Sequence, residues 1–438
     1  MNAETRINTG VRADRPPRSA VSHGVGIVGL LGLGLWVAVA RAYGMEGPLA
    51  ALCALLACGV PMLIWSLAID KVHRNPSTGI DWSLRRPWPE TIDISLAKIT
   101  GLWAIWTAIA CLYCIGRWYW SGNYLFSMQV LGMAALPLLV ISVPYVLWLD
   151  RRLTQPRDGA WHFGRLIIGR GKGVDREIVY DFLRCWAVKG FFLAFMLSIV
   201  PGNWADVIRA SAAEVTSSPV RLTGWLIAIM FMIDVSFATV GYMLTCKPLD
   251  AHIRSANPYA AGWTAALICY PPFIMMNSGG PLDYHPGTAG SDGWVYWLET
   301  YPAATIVTGA ALVVLTAIYA WATVAFGIRF SNLTHRGILT HGPYAWTKHP
   351  AYLSKNLFWW LATLPFLATT NNPVDAIRNT VVLAMVTGVY YWRARTEERH
   401  LLADPAYRDY ADWMARNGPI SRLLARVRGS RTQPIPAE

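Results

Sequence analysis

The sequence predicts an all-α, polytopic integral membrane protein of about ten transmembrane helices, with a C-terminal part facing the cytoplasm. Three observations predict it. The 438 residues are 54% hydrophobic and 15% charged, against about 25% charged in soluble domains. The apolar excess falls in long runs, most of them matching the 17–25 residues a helix needs to cross a bilayer. The basic residues alternate between loops in the pattern of cytoplasmic enrichment.

The runs lie at 24–40, 48–69, 99–116, 127–149, 185–201, 222–245, 259–276, 303–328, 351–368 and 374–392. In the first, Ala38-Val39-Ala40 resembles a signal-peptidase site, but the long polar lead and nine further spans favour an uncleaved helix. The seventh carries Pro271-Pro272 and is expected to kink or break there. The ninth has Lys355 near its start and Pro365 near its end, and the tenth has Asp375 and Arg378 in its first turns. By hydropathy alone these two are the weakest spans. With the N-terminus placed in the cytoplasm, inner segments hold 31 Lys and Arg and outer segments hold 5. That asymmetry puts both termini in the cytoplasm. It also explains the net charge of +12, carried mostly by a face that meets anionic lipid headgroups. A nucleic-acid partner is not expected, because no basic patch belongs to a recognisable binding fold.

Residues 1–23, with Arg6, Arg12, Arg15 and Arg18, read as a disordered basic leader. Residues 24–300 read as a membrane domain of about seven helices with no legible role, 301–420 as a second membrane domain rich in polar groups, and 421–438 as a basic tail. All seven cysteines lie in or beside apolar runs, so no disulfide framework follows. Cys111-x-x-Cys114 has no second pair and reads as helix packing rather than a metal knuckle. Gly169-Arg170-Gly171-Lys172-Gly173 lacks the form of a phosphate loop and reads as a flexible basic turn facing lipid. The acidic loop 277–299, with Asp283, Asp292 and Glu299, fits no calcium-loop spacing. No transporter-type internal repeat is visible. Lys189 and Asp234 fall inside spans, which makes each a functional candidate by default and a structural ion pair otherwise.

Chemistry-bearing residues crowd the last 110 positions. The loop after the eighth span holds His335, His341 and His349 with Arg336, Lys348, Tyr344 and Tyr352. The tenth span runs out into Arg393, Glu397, Glu398 and His400, followed by Tyr407 and Tyr410. Arg393 and Glu397, four apart, share a helix face. A hairpin turning near Asn371-Asn372-Pro373 brings the two segments together. The histidine intervals of six and eight match no helical face or zinc knuckle, so no metal site is expected.

Gly342-Pro343-Tyr344, Lys348-His349-Pro350-x-Tyr352 and, across the hairpin, Arg393-x-x-x-Glu397-Glu398-x-x-Leu401 resemble the isoprenylcysteine carboxyl methyltransferases and the wider group of membrane phospholipid methyltransferases. The resemblance covers about residues 320–420. It implies S-adenosylmethionine bound at the cytoplasmic face and a lipophilic acceptor reaching it from the bilayer. Carried over by position, the cofactor contacts are Gly337, Ile338, Leu339, Tyr344, His349, Pro350, Ala351, Tyr352 and Glu397, and Arg393 faces the substrate. Two positions depart from the family pattern: Lys348 replaces the usual Arg, keeping charge but losing a fork, and Ser354 replaces a frequent Gly.

The chemistry suits such a site. Methyl transfer from a sulfonium is a displacement on an already activated carbon, so the protein must mainly align the partners and exclude water. A carboxylate acceptor needs only a cation to orient it, which Arg393 supplies. An amine or phospholipid acceptor needs a base, for which Glu398 or His400 is positioned. A sterol-type reductase is the second reading, but the basic nicotinamide cluster expected for it is absent. A non-catalytic transporter using Lys189 and Asp234 is the third, and the C-terminal polar density counts against it.

Overall fold

In lipid each backbone polar group must be satisfied inside its own segment, so the apolar runs become helices. The computed structural model describes residues 15–285 and 293–427. Helices α1 (His23–Tyr43), α2 (Pro48–Ala68), α3 (Trp88–Gly116) and α4 (Leu125–Asp150) are followed by the short α5 (Gly159–Ile167) and the long α6 (Arg176–Arg209). The one-turn α7 (Ala212–Val215), α8 (Pro219–Met243), α9 (Ala260–Leu267), α10 (Gly293–Leu298) and α11 (Pro302–Phe326) come next. The C-terminal part is α12 (Pro350–Thr363), α13 (Pro373–Leu401), α14 (Pro405–Asn417) and α15 (Pro419–Val427).

Among the described residues seven helices, α1, α2, α3, α4, α6, α8 and α11, are long and apolar enough to cross a bilayer. The other three expected spans differ. The run at 259–276 is not one helix: α9 ends at Leu267 and the chain continues irregularly past Pro271-Pro272. Proline lacks the N–H and clashes with the preceding turn, which ends the helix. Part of this irregular stretch is covered by protein, with Met276 and Tyr284 packed on Leu383, Val386 and Tyr390 of α13. Non-helical backbone at membrane depth is tolerated where protein buries it in this way. The run at 351–368 holds only the 14-residue α12, which stops at Leu364 in the left-handed region, just before Pro365. The run at 374–392 lies within the 29-residue α13, whose polar last turns carry the motif residues.

One core joins α1, α2, α6 and α8 through Leu33, Leu55, Met62, Trp204, Phe237 and Val240, and Leu339 of the loop after α11 joins it. The connection 150–181 contains α5, capped by the Asp158 side chain, ahead of the turn at 169–173. It crosses α3 at backbone contact, since a Cβ on Gly164 would stand 1.7 Å from the Ala97 carbonyl oxygen. Only glycine permits that approach. Beside the crossing, buried Lys98 Nζ lies 2.6 Å from Asp150 Oδ1 and 2.9 Å from Asp158 Oδ2. In the loop at 277–285, Asp283 is used locally, accepting from the Gly279 amide at 2.8 Å. Asp292 lies outside the described residues, as do 1–14 of the leader and 428–438 of the basic tail.

The described part of the leader is not free. Residues 17–22 form an extended strap across the loop at 337–341. The Ala20 amide donates to the Ile338 carbonyl at 2.8 Å, Thr340 Oγ1 donates to the Pro17 carbonyl at 2.9 Å, and Ser19 Oγ meets His341 Nδ1 at 2.7 Å. A two-stranded antiparallel ladder pairs Ser255 with His335 and Ala256 with Thr334, fixing the same loop from the other side.

Candidate active site

The loop between α11 and α12 is anchored by Arg336. Its buried guanidinium donates to the carbonyls of Gly241 and Phe330, both at 2.8 Å, and of Leu244 at 2.7 Å, with Ala251 and Ile328 also in reach. Backbone dipoles rather than a carboxylate compensate this charge, as a buried polar group requires. Burial, reinforced by the neighbouring Arg329, pushes Arg336 down to about 9. Gly337 follows at φ +106, and a Cβ there would stand 2.6 Å from Ala20 Cβ under the strap. The loop then turns through Gly342–Ala345 and enters α12 at Pro350.

Against this loop stands one face of α13. Tyr390, Arg393 and Glu397 are spaced three and four apart, and all three line one cavity with Tyr344, His349, Ala351 and Tyr352 from the facing segment. The cavity holds about 710 Å³ of empty space, part of it open to solvent. Tyr352 Oη donates to Glu397 Oε2 at 2.9 Å. The His349 and Tyr352 rings lie parallel, 8° apart in plane with centroids at 5.6 Å. His349 Nε2 reaches Glu398 Oε1 at 2.9 Å, beside Lys348 Nζ at 2.6 Å, and Arg395 Nη1 meets Glu398 Oε2 at 3.2 Å. Burial alone would raise the Glu398 carboxyl, but the hydrogen bonds from His349 and Lys348 outweigh it and hold the group down at about 2.

Arg393 is buried and, among the described residues, no carboxylate pairs with it. Its guanidinium carbon lies 5.1 Å from the Tyr352 ring centre, 5.3 Å from Tyr390 and 5.7 Å from Tyr270, and Nη2 has one long contact, 3.5 Å, to Asn332 Oδ1. Cation–π contacts of this kind stabilise a desolvated guanidinium by about 2 kcal/mol or more each, and they leave its charge without an anionic partner. Deeper in the cavity, Lys355 lies over Tyr319 at 5.2 Å and Trp359 at 5.4 Å.

Residues 303–403 match the model of the isoprenylcysteine carboxyl methyltransferase (ICMT) family. The matched stretch runs from α11 to the end of α13 and contains almost all of the cavity wall. Among curated proteins none matches the chain, and among solved structures none does. The match covers about a quarter of the chain and leaves the first 300 residues outside it.

Most of the expected site residues converge here. Tyr344, His349, Ala351, Tyr352, Arg393 and Glu397 all face the cavity. Gly337, Ile338, Leu339 and Pro350 are not in its wall. Ile338 packs on Tyr407, Tyr410 and Met414, and Leu339 joins the main core, so their apolar side chains are used for anchoring the loop. Glu398 sits behind His349, tied to it and to Lys348 and Arg395. His400 meets Ser255 Oγ at 2.9 Å, and burial and His335 push its pKa down to about 4. The three loop histidines take separate partners: His335 lies 3.2 Å from Asp404, His341 bonds Ser19, and His349 bonds Glu398.

Both departures from the family pattern have local reasons. Lys348 makes a point-charge contact to Glu398, and Ser354 Oγ donates to the Pro350 carbonyl at 2.9 Å. Sequence reasoning missed Tyr270, Tyr319, Tyr390, Lys355 and Asn332 as cavity residues. Spacing could have found two of them, since Tyr390 is three before Arg393 and Lys355 three after Tyr352. Asp234 and Lys189 do not pair. Asp234 accepts from Tyr319 Oη at 2.9 Å and from Thr323 Oγ1, next to Lys355, whereas Lys189 donates to Thr245.

Proposed function

We propose that the protein transfers a methyl group from S-adenosylmethionine to the carboxylate of a lipophilic acceptor drawn from the bilayer, with both termini in the cytoplasm. The observation that carries this reading is Arg393: a buried, permanently charged guanidinium without a carboxylate, facing the same cavity as the Tyr352–Glu397 pair in the ICMT-matched region.

The residues present fit the donor. S-adenosylmethionine supplies a methyl group on a sulfonium, the activated carbon of the reaction. Glu397, with Tyr352 fixing one oxygen, offers the other to the donor's ammonium or ribose hydroxyls. The parallel His349–Tyr352 rings offer an apolar wall. Glu398 acts on His349 and so positions it, while Gly337, Ile338 and Leu339 hold the loop in place. Arg393 orients the acceptor carboxylate through a charge-assisted fork. The acceptor oxygen forms the new C–O bond as the C–S bond breaks, and no proton is released. An amine acceptor would release one, and Glu398, held at about 2, is a poor base for it. The apolar acceptor fits a cavity walled by Phe326, Phe330 and five tyrosines. Lysine and arginine counts of 31 against 5 support the orientation.

Methyl transfer from radiolabelled S-adenosylmethionine to an S-prenylated N-acetylcysteine tests the reading. Removing one partner of a buried charge pair costs about 2–5 kcal/mol. Arg393→Ala is thus expected to lower turnover about thirty-fold or more with donor binding intact, and Arg393→Lys to recover part of it. Near-normal turnover by Arg393→Ala would remove the carboxylate-orienting role and bring the amine or phospholipid acceptor forward.

A further inference from the structure

A second cavity lies in the first 300 residues and shares no wall residue with the first. It holds about 1470 Å³ of empty space, part of it open to solvent, between the loop at 153–160, the first turns of α6 and the turn at 245–254. Arg157, Lys189, Lys247 and Arg254 face it, against only Asp158 and Asp181. Both acids are already engaged. Asp158 holds Lys98 at 2.9 Å, and Asp181 Oδ1 accepts from the Ala256 amide at 3.0 Å.

The cations are poorly compensated. Lys247 stands 3.8 Å from Asp158, and Arg254 stands 3.6 Å from Asp250, whose other oxygen is taken by Arg329 at 2.9 Å. Lys189, deepest of the four, has Thr245 as hydrogen-bond acceptor and the Trp186 ring at 5.2 Å, with no carboxylate partner among the described residues. Arg254 Nε and His252 Nδ1 are buried without a hydrogen-bond partner. Burial, then Lys247, pushes His252 down to about 4, so the imidazole is neutral and presents no competing charge. An ammonium buried without a counterion is several kcal/mol unfavourable, and at membrane depth such a group marks a ligand or ion site.

We propose that this cavity binds a phosphate-bearing anion, supplied either as a lipid headgroup from the adjoining leaflet or as a free phosphate compound. Lysine serves as a point-charge phosphate contact and arginine as a fork, and basic pockets between transmembrane helices on the side rich in basic loops take anionic headgroups. The Ile178, Phe182 and Trp186 side of the cavity provides an apolar wall against which an acyl chain packs.

The full-length protein in nonionic detergent is titrated at constant ionic strength with inorganic phosphate and, separately, with dihexanoyl phosphatidylglycerol, using chloride and dihexanoyl phosphatidylcholine as controls. Ligand-induced shifts in thermal unfolding give the affinity. Saturable binding is expected in at least one arm, the lipid alone identifying a headgroup site and inorganic phosphate alone a soluble ligand. Lys189→Met is expected to weaken binding at least ten-fold. Because Lys189→Met alters a buried position, Arg157→Gln combined with Lys247→Gln is measured beside it; Arg157 is exposed and Lys247 half-buried, so that protein folds. No saturable binding in either arm, or unchanged affinity in either folded variant, overturns the proposal. Neither readout depends on methyl transfer.

Discussion

Glu398 ties the two arms of the C-terminal hairpin, and its replacement by glutamine isolates what that charge does. The side chain is 11% exposed and receives Lys348 at 2.6 Å, His349 at 2.9 Å and Arg395 at 3.2 Å. Against the opposing effect of burial, the hydrogen bonds from His349 and Lys348 lower its pKa from 4.5 to about 2. At about 1.4 kcal/mol per decade that gap corresponds to about 3 kcal/mol, an upper figure because Arg395 is largely exposed and solvent screens it. The folded-state pKa lies below the unfolded one. The stabilisation is therefore complete above about pH 4.5, falls as pH drops through that value, and is gone near pH 2. Glu398→Gln keeps the shape and removes the charge. It is expected to unfold about 2–3 kcal/mol more easily at pH 7, with the gap to the native protein closing on acidification. Denaturant unfolding in lipid nanodiscs, followed by tryptophan fluorescence at pH 7, 4.5 and 3, reads both quantities. A gap that stays constant across pH would mean that packing, not charge, explains the effect, and no gap at pH 7 would refute the role of the cluster altogether.

Further expectations bear on other parts of the molecule. Tyr352→Phe removes a hydrogen bond to a carboxylate, a loss of about 1.5–3 kcal/mol, so calorimetric affinity for S-adenosylmethionine should fall about ten- to a hundred-fold; an unchanged affinity would take the Tyr352–Glu397 pair out of the donor site. Gly164→Ala drives a methyl group into the Ala97 carbonyl across the α3–α5 crossing, and should lower the unfolding midpoint steeply; native-like stability would show that the crossing is not close. With the native cysteines replaced, Ser278→Cys should react with an impermeant thiol reagent only from outside the cell and Arg422→Cys only from inside, and labelling of both from one side would defeat the proposed orientation.

The legible features were those set by neighbours in sequence. Apolar runs announce helices because a span must satisfy its own backbone, and seven of the expected spans are such helices. The motif face of α13 was legible because Arg393 and Glu397 lie one turn apart. Features set by long-range partners were not. Tyr270 enters the cavity because the chain loses helical form after Leu267, and periodicity has no term for where an irregular stretch goes. Lys189 and Asp234, each a functional candidate with an ion pair as the alternative reading, do not meet: Asp234 accepts from Tyr319 and Thr323 more than eighty positions away, and Lys189 contacts only the Thr245 hydroxyl without a carboxylate among the described residues. Lys98 and Asp150, just outside the runs at 99–116 and 127–149, form a buried bond over a separation of 52 residues that no local pattern announces. The apolar Ile338 and Leu339 gave no sign in sequence that they anchor the loop rather than line its cavity.

The strap at residues 17–22 imposes an order on biosynthesis. Synthesised ahead of every helix from α1 to α13, it finds its partners at 337–341 only some 320 residues later, the Pro17–Thr340 bond closing a separation of 323. Until then Val21 and Val25, buried in the finished protein, have no Leu339 and Val324 to complete their core. The cavity loop gains its cover last, from a segment that has waited through the insertion of every intervening helix. A change at residues 17–22 thus acts at a distance, on a loop next to the candidate site more than 300 residues along the chain.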